Sequence, residues 1–321
     1  MRILLTTTSY QDTPGHHHDL LVKSGHEIIR ERGPIPEDKL LEIIRTKGPF
    51  DGFLHGDDII TRKVIQAALP QLKALSKYGI GLDSVDVKAA TDLRVPVLFT
   101  PGVNHTTVAE HTFGLMIALA KHVIPHANSV AKGEWKRISG IELAGKTLGV
   151  MGVGRIGKEV AKRGIAFDMK VIGYDVHWDD AFARQHNVTR CWKAEELLSK
   201  SDVISLNMNL TDENRNYFNK ERIALMKDKA MVVNCSRGGL VHEQDMADAC
   251  RSGKLYGYAT DVLEVEPMKT PHPYQGVANI LITPHVASRT NESVERQAMM
   301  STENLLRVLA GQKPLAQANS F

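Results

Sequence analysis

Only three cysteines occur in 321 residues, Cys191, Cys235 and Cys250. Their number is odd and their spacing fits no zinc motif, which argues against a disulfide framework or a structural metal and suits a reducing, cytoplasmic setting. No apolar run reaches the length of a membrane span, and Met1 leads directly into a strand-like segment rather than a signal peptide. No block of one charge stands out and the net charge is only +3, so neither nucleic acid nor a membrane is expected as a partner. Low-complexity stretches and solenoid-type repeats are missing as well.

What the chain has instead is alternation. Short β-rich runs at Arg2–Thr6, Gly52–His55, Leu72–Ser76 and Val97–Phe99 are separated by helical patterns at Pro36–Thr46 and Thr61–Ala68. A long apolar helix pattern then covers Thr106–Leu119, with Thr106 as its cap and a continuation, broken at Pro125, towards Lys132. A second series follows, with strands expected at Thr147–Met151, Lys170–Tyr174, Val203–Leu206, Ala230–Asn234, Tyr256–Thr260 and Ile280–Ile282, and a closing helix at Asn291–Leu309. Strand–helix alternation of this kind predicts an α/β chain of two doubly wound parallel-sheet domains with a cleft between them. The order suggests a discontinuous first domain, residues 1–102 and 287–321, around a second domain of residues 103–286. The two crossings would serve as a hinge, and the tail Gln312–Phe321 reads as a mobile end.

Strand Thr147–Met151 runs into Gly152-Val153-Gly154-Arg155-Ile156-Gly157 and then a helix. This is G-x-G-x-x-G in the strand–turn–helix context that a dinucleotide requires: Gly152 for the tight turn, Gly154 for close approach of the pyrophosphate, Gly157 for helix–strand packing. The next strand ends at Asp175, eighteen residues past Gly157, where a carboxylate accepts hydrogen bonds from the adenosine ribose. Val176 and His177 follow rather than arginine, which favours NAD over NADP.

Three later strands end in chemically loaded segments, NCSRGG at 234–239, DVLEVEP at 261–267 and TPH at 283–285. Reduction of a 2-keto acid needs a proton donor at the carbonyl oxygen, and a histidine titrating near neutrality suits it. A carboxylate on the far ring nitrogen would orient that imidazole, and an arginine fork would grip the substrate carboxylate. His285, Glu266 and Arg237 supply these groups.

The segments GVGRIG, NCSRGGLV, DVLEVEP and TPHVAS, together with SKYGIGLDSVD at 76–86 and TPGVNHTTVAEHTFGLMIAL at 100–119, resemble those of the D-isomer-specific 2-hydroxyacid dehydrogenases over nearly the whole chain. The resemblance is nearest to phosphoglycerate-dehydrogenase-like members. It implies a Rossmann NAD domain and a flavodoxin-like substrate domain, and hydride exchange between NAD(H) and a small D-2-hydroxy acid or its keto partner. It implies Arg237 as the substrate arginine, His285 as acid/base and Glu266 as its partner, with Glu264 a rival two residues away. Ile80 and Gly81 match the loop that holds the substrate carboxylate, alongside Arg237 and His285. Arg155, Ile156, Asp175, Asn207-Met208-Asn209, Cys235-Ser236-Arg237, Asp261, His285 and Ala287 match NAD contacts, although Asn207-Met208-Asn209 departs from the His-Val-Pro common in relatives. A homodimer through the helix from Thr106 is implied, and no serine-sensing regulatory domain is expected. A non-catalytic, NADH-sensing corepressor-type protein on the same fold is the alternative; formate dehydrogenases carry glutamine where Glu266 stands, which counts against that activity.

Two features read more plainly. Cys235 is expected to be a small buried hydrophobe rather than a nucleophile. His16-His17-His18 reads as a surface loop, with metal binding the lesser reading.

Overall fold

The computed structural model describes residues Met1–Phe321. The chain divides into two compact units, the first made of Met1–Asn104 with Arg289–Phe321 and the second of His105–Ser288. Each is built on a wholly parallel sheet, as expected where nearly every pair of successive strands is joined through a helix; Thr260 to Ile280 is the exception, crossed by a helix-free loop.

In the first unit β1 (Arg2–Leu5), β2 (Glu27–Arg30), β3 (Gly52–His55), β4 (Ala74–Lys77) and β5 (Val97–Leu98) lie in the order β2-β1-β3-β4-β5. The order reverses direction between β1 and β3, the flavodoxin-like arrangement. Strand β2 was not anticipated: it is an edge strand whose charged ends, Glu27 and Arg30, hide its apolar pair Ile28–Ile29. One sheet face is covered by the C-terminal helix Asn291–Leu309, whose Ala298, Leu305 and Leu309 pack with Ile3, Leu5, Tyr10, Leu54, Ala74 and Leu98. The opposite face buries Phe50, Phe53, Ile60, Ile65 and Leu75.

The tail is not a mobile end. Gln317 bridges Leu98, the amide of Val97 donates to Asn319 Oδ1 at 2.8 Å, and Asn319 Nδ2 donates to Val95 O at 2.9 Å. The reason is that β5 is an edge with free backbone groups, and the tail covers it. The histidine triplet also differs from expectation. It opens the helix His16–Lys23 rather than a loop; His17 is wholly buried, with Nε2 3.0 Å from Tyr10 O. His16 pairs with Glu295 at 2.7 Å and His18 with the carbonyl of Thr13 at 3.0 Å, and no cluster of metal-ligating side chains forms.

In the second unit β6 (Thr147–Met151), β7 (Lys170–Tyr174), β8 (Thr189–Arg190), β9 (Val203–Leu206), β10 (Ala230–Asn234), β11 (Leu255–Thr260) and β12 (Ile280–Ile282) are ordered β12-β11-β10-β9-β6-β7-β8. Seven strands form where six were expected; β8, two residues long at the edge, leaves no periodic signal. The direction of winding changes between β6 and β9, so the crevice beyond their carboxyl ends is where such sheets bind ligands. The long helix runs His105–Ala120, with Thr106 inside its first turn rather than capping it. Its break falls at Lys121–His122, not at Pro125. His122 takes φ +52°, and Pro125 sits in the first turn of the next helix, Val123–Ala131, where its missing N–H is tolerated. No helix is long and apolar enough to cross a membrane.

Candidate active site and dinucleotide turn

The glycine turn joins β6 to the helix Arg155–Ala166. Gly152 has φ +89°, and a Cβ there would stand 2.7 Å from Asn207 O at the tip of β9. At Gly157 a Cβ would fall 2.0 Å from Gly152 O, so only glycine lets the helix rise this close to the strand. Gly154 is the opposite case, because a Cβ there would meet nothing within 4 Å. The space over it lies at a helix N-terminus that no side chain caps, which is where a pyrophosphate finds unsatisfied N–H groups and the positive end of the dipole. Asp175, just past β7, accepts from Val153 N at 2.6 Å and His177 N at 2.7 Å, which ties its carboxylate to the turn. A dinucleotide fits this set: a cradle empty of side chains, a helix terminus and an anchored carboxylate.

The other residues matched to the cofactor spread over neighbouring tips. Arg155 is exposed at the helix start and Ile156 packs on the core beneath it. Asn207 Nδ2 donates to Ser205 O and Oγ, both at 3.1 Å, while Met208 packs on the core and Asn209 is exposed. Cys235 is half-buried against the core, and burial pushes its thiol up to about 12, which leaves it protonated at neutral pH.

The catalytic candidates come from three adjacent strands. After β10 the buried Asn234 folds the turn: its Oδ1 accepts from Ser236 N at 3.0 Å and Ser236 Oγ at 2.8 Å, and its Nδ2 donates to Arg237 O at 2.9 Å. Arg237 is half-buried and donates from Nη1 to Ser236 O at 2.8 Å. Gly238 then lies against the loop after β11 so closely that a Cβ would be 1.9 Å from Leu263 C. That loop carries Glu266, which accepts from Leu263 N at 2.9 Å through Oε1 and meets His285 Nδ1 at 2.7 Å through Oε2. His285 follows β12 with its side chain 45% exposed. Facing a carboxylate, Nδ1 carries the hydrogen. Glu264 is taken elsewhere: its carboxylate pairs with Arg215 at 3.1 Å.

His285 has φ +53°, a left-handed backbone rare for a residue with a side chain and costing on the order of 1 kcal/mol. Asp261 holds it there. The amide of His285 donates to Asp261 O at 2.9 Å, and the carboxylate takes Val286 N at 2.9 Å and Ala287 N at 2.7 Å. Thr283 Oγ1 adds a bond to the same carboxylate at 2.6 Å, and His111 Nε2 lies 3.0 Å from that hydroxyl. Burial would raise this carboxyl; hydrogen bonds from His111, Thr283, Val286 and Ala287 outweigh it and hold Asp261 below the usual range. Asp261 is thus only 1% exposed and occupied by protein groups, while Ala287 is buried. Neither Asn234 nor His111 was singled out in the sequence; an asparagine two residues before a serine was the one available hint of a turn.

In the first unit Ile80 and Gly81 follow β4 in a loop tied to Thr100 by Gly79 N→Thr100 Oγ1 at 3.0 Å and Thr100 N→Gly79 O at 2.9 Å. Ile80 is 36% exposed.

Known proteins resemble this chain in sequence and fold. The family described as "D-isomer specific 2-hydroxyacid dehydrogenase, NAD binding domain" matches residues 113–287. A D-3-phosphoglycerate dehydrogenase of Methanocaldococcus jannaschii is 40% identical over 302 residues, covering 92% of this chain, which spans only 57% of that protein. A hydroxypyruvate reductase of Thermotoga maritima is 38% identical over 90% of this chain and 93% of its own length. The crystal structure of the TT0316 protein of Thermus thermophilus superposes with a TM-score of 0.90 at 35% identity, covering 99% of this chain and 100% of its own. The chain belongs to the D-isomer-specific 2-hydroxyacid dehydrogenases, NAD-linked oxidoreductases of 2-hydroxy acids.

Proposed function

We propose that this chain reduces a small, unphosphorylated 2-keto acid such as hydroxypyruvate or glyoxylate to its D-2-hydroxy acid, and runs the reverse oxidation when the cofactor ratio favours it. The observation that carries the reading is the 2.7 Å pair between His285 Nδ1 and Glu266 Oε2, set beside Arg237 on adjoining strand tips. Relatives named hydroxypyruvate reductase and glyoxylate reductase, 38% and 36% identical to this chain over 294 and 295 residues, support a substrate of this class.

Bound at the glycine turn, NAD supplies the hydride acceptor or donor. The chain's own groups do the rest. Glu266 fixes the imidazole tautomer, so His285 gives or takes the substrate-oxygen proton at Nε2 and its cationic form is stabilised by the adjacent carboxylate. Arg237 holds the substrate carboxylate through its planar fork and polarises the carbonyl. Asp175 receives the adenosine ribose and disfavours a 2′-phosphate.

A homodimer is proposed as the working assembly. The long helix is largely buried within its own unit, but the segment after it exposes Val123, Ile124, Val130, Trp135 and Ile138, with Trp135 76% exposed. A second copy would cover this apolar surface.

The deciding experiment is NADH oxidation with a panel of glyoxylate, hydroxypyruvate, pyruvate and 3-phosphohydroxypyruvate, repeated with NADPH. Turnover of the unphosphorylated acids with NADH is expected, and His285→Ala should lower kcat by about 10²–10⁴ with NADH affinity nearly unchanged. A preference for the phosphorylated acid, or near-native turnover by His285→Ala, would overturn the reading.

A further inference from the structure

The His285 turn is held from behind by a relay on a separate element. Thr283 Oγ1 lies 2.6 Å from Asp261 Oδ1, so its single hydrogen goes to the carboxylate and its oxygen is left to accept. His111, on the helix His105–Ala120, lies with Nε2 3.0 Å from that hydroxyl oxygen and 3.5 Å from Asp261 Oδ1. The imidazole therefore donates through Nε2–H. The chain of donors runs His111 to Thr283 to Asp261, and Asp261 in turn accepts the amides of His285, Val286 and Ala287. Among the described residues no lysine or arginine pairs with this buried carboxylate, so its orientation rests on these donors.

We infer that His111 is a positioning residue for His285, acting through Thr283 and Asp261 to keep the acid/base imidazole at its working angle. The inference rests on His285 being the acid/base group. A left-handed backbone persists only where its surroundings over-determine it. Remove the Nε2 donor and the Thr283 hydroxyl is released to rotate, Asp261 loses its lateral restraint, and the turn carrying His285 can relax. Small misplacements of a reacting group are expensive in rate: about 1 Å costs on the order of 100-fold. His111 is a quarter exposed, and its helix is tied to the dinucleotide helix Arg155–Ala166 through Glu110 and Arg163 at 3.0 Å, so NADH affinity is measured separately from kcat.

The test compares His111→Leu, His111→Gln, Thr283→Val and Thr283→Ser with the unaltered protein, using the keto acid turned over best. kcat, KM, NADH affinity by fluorescence and thermal melting are read together. His111→Leu and Thr283→Val should each lower kcat by about 10-fold to 100-fold, with KM for the keto acid within about twofold. His111→Gln, whose amide nitrogen can replace the Nε2 donor, and Thr283→Ser, which keeps the hydroxyl, should recover most of the loss. Unchanged kcat in His111→Leu would overturn the inference, as would a rise in KM at constant kcat, or no rescue by glutamine in a variant that melts normally. Should His111→Leu not fold, Thr283→Val against Thr283→Ser decides by the same criteria. His285→Ala run alongside separates the two claims: if it is inactive while His111→Leu and Thr283→Val are normal, only the positioning role fails.

Discussion

At the scale of single residues, the two glutamates around Val265 show how far side-chain identity carries. Both precede Pro267 and both are acidic, so the sequence leaves the partner of His285 open between them. The backbone separates them: Glu266 is turned to His285 and to the amide of Leu263, and Glu264 to Arg215. Glu266→Gln is expected to lower kcat by about 10-fold to 100-fold, because the neutral amide no longer stabilises the imidazolium. Glu264→Gln should stay within about twofold, since it loses only a surface ion pair. Steady-state kinetics of the two variants check the assignment, and equal losses would contradict it. Arg237, His285 and the glycine turn were legible because their chemistry is rare in those contexts. Asn234 and His111 were not, because their importance comes from burial and from partners distant in sequence, Tyr258 for the one and Thr283 for the other.

At the scale of elements, long strands and amphipathic helices were readable from periodicity, including Asn291–Leu309 to the residue. The edges were not. The short strands β2 and β8 carry polar residues, and the tail's anchorage depends on the unpaired rim of β5, which no local pattern reveals. Asn319→Ala should therefore destabilise the first unit by about 1–3 kcal/mol, by leaving the Val97 amide and Val95 carbonyl without partners. Urea unfolding measures this, and an unchanged midpoint would mean the tail adds no stability. The loop after β10 presses on the loop after β11 through Gly238. Gly238→Ala places a methyl inside backbone, so a cost of about 1–3 kcal/mol is expected together with a drop in kcat/KM, because Arg237 is the preceding residue. A variant matching the unaltered protein in both melting and kcat/KM would show that the two loops yield.

At the scale of the whole molecule, two parallel sheets followed from alternation, while their strand orders and the unit boundaries depended on how the chain crosses in space. One property belongs to the first unit as a body. His55 at the tip of β3 is fully buried, and burial, reinforced by the Lys77 ammonium, pushes its imidazole down to about 3. In the unfolded chain a histidine binds its proton near pH 6.5. Between about 6.5 and about 3 the unfolded state thus holds the extra proton, and stability falls as pH drops through that window, by about 1.4 kcal/mol per pH unit at the steepest. Denaturant titrations at several pH values should show a slope shallower by about one proton in His55→Asn; identical slopes would refute this origin.

The first unit is closed by a helix that the ribosome delivers only after the whole second unit. Throughout synthesis of residues 105–288 the face of the five-stranded sheet that will receive Ala298, Leu305 and Leu309 has no cover, and Ile3, Leu5, Leu54 and Leu98 stay wet. The second unit is continuous in sequence and can finish before its elder neighbour. Limited proteolysis of a chain stopped at Ser288 should trim the leading 104 residues and spare the rest, and resistance of the leading part would show that the sheet stands without its last helix.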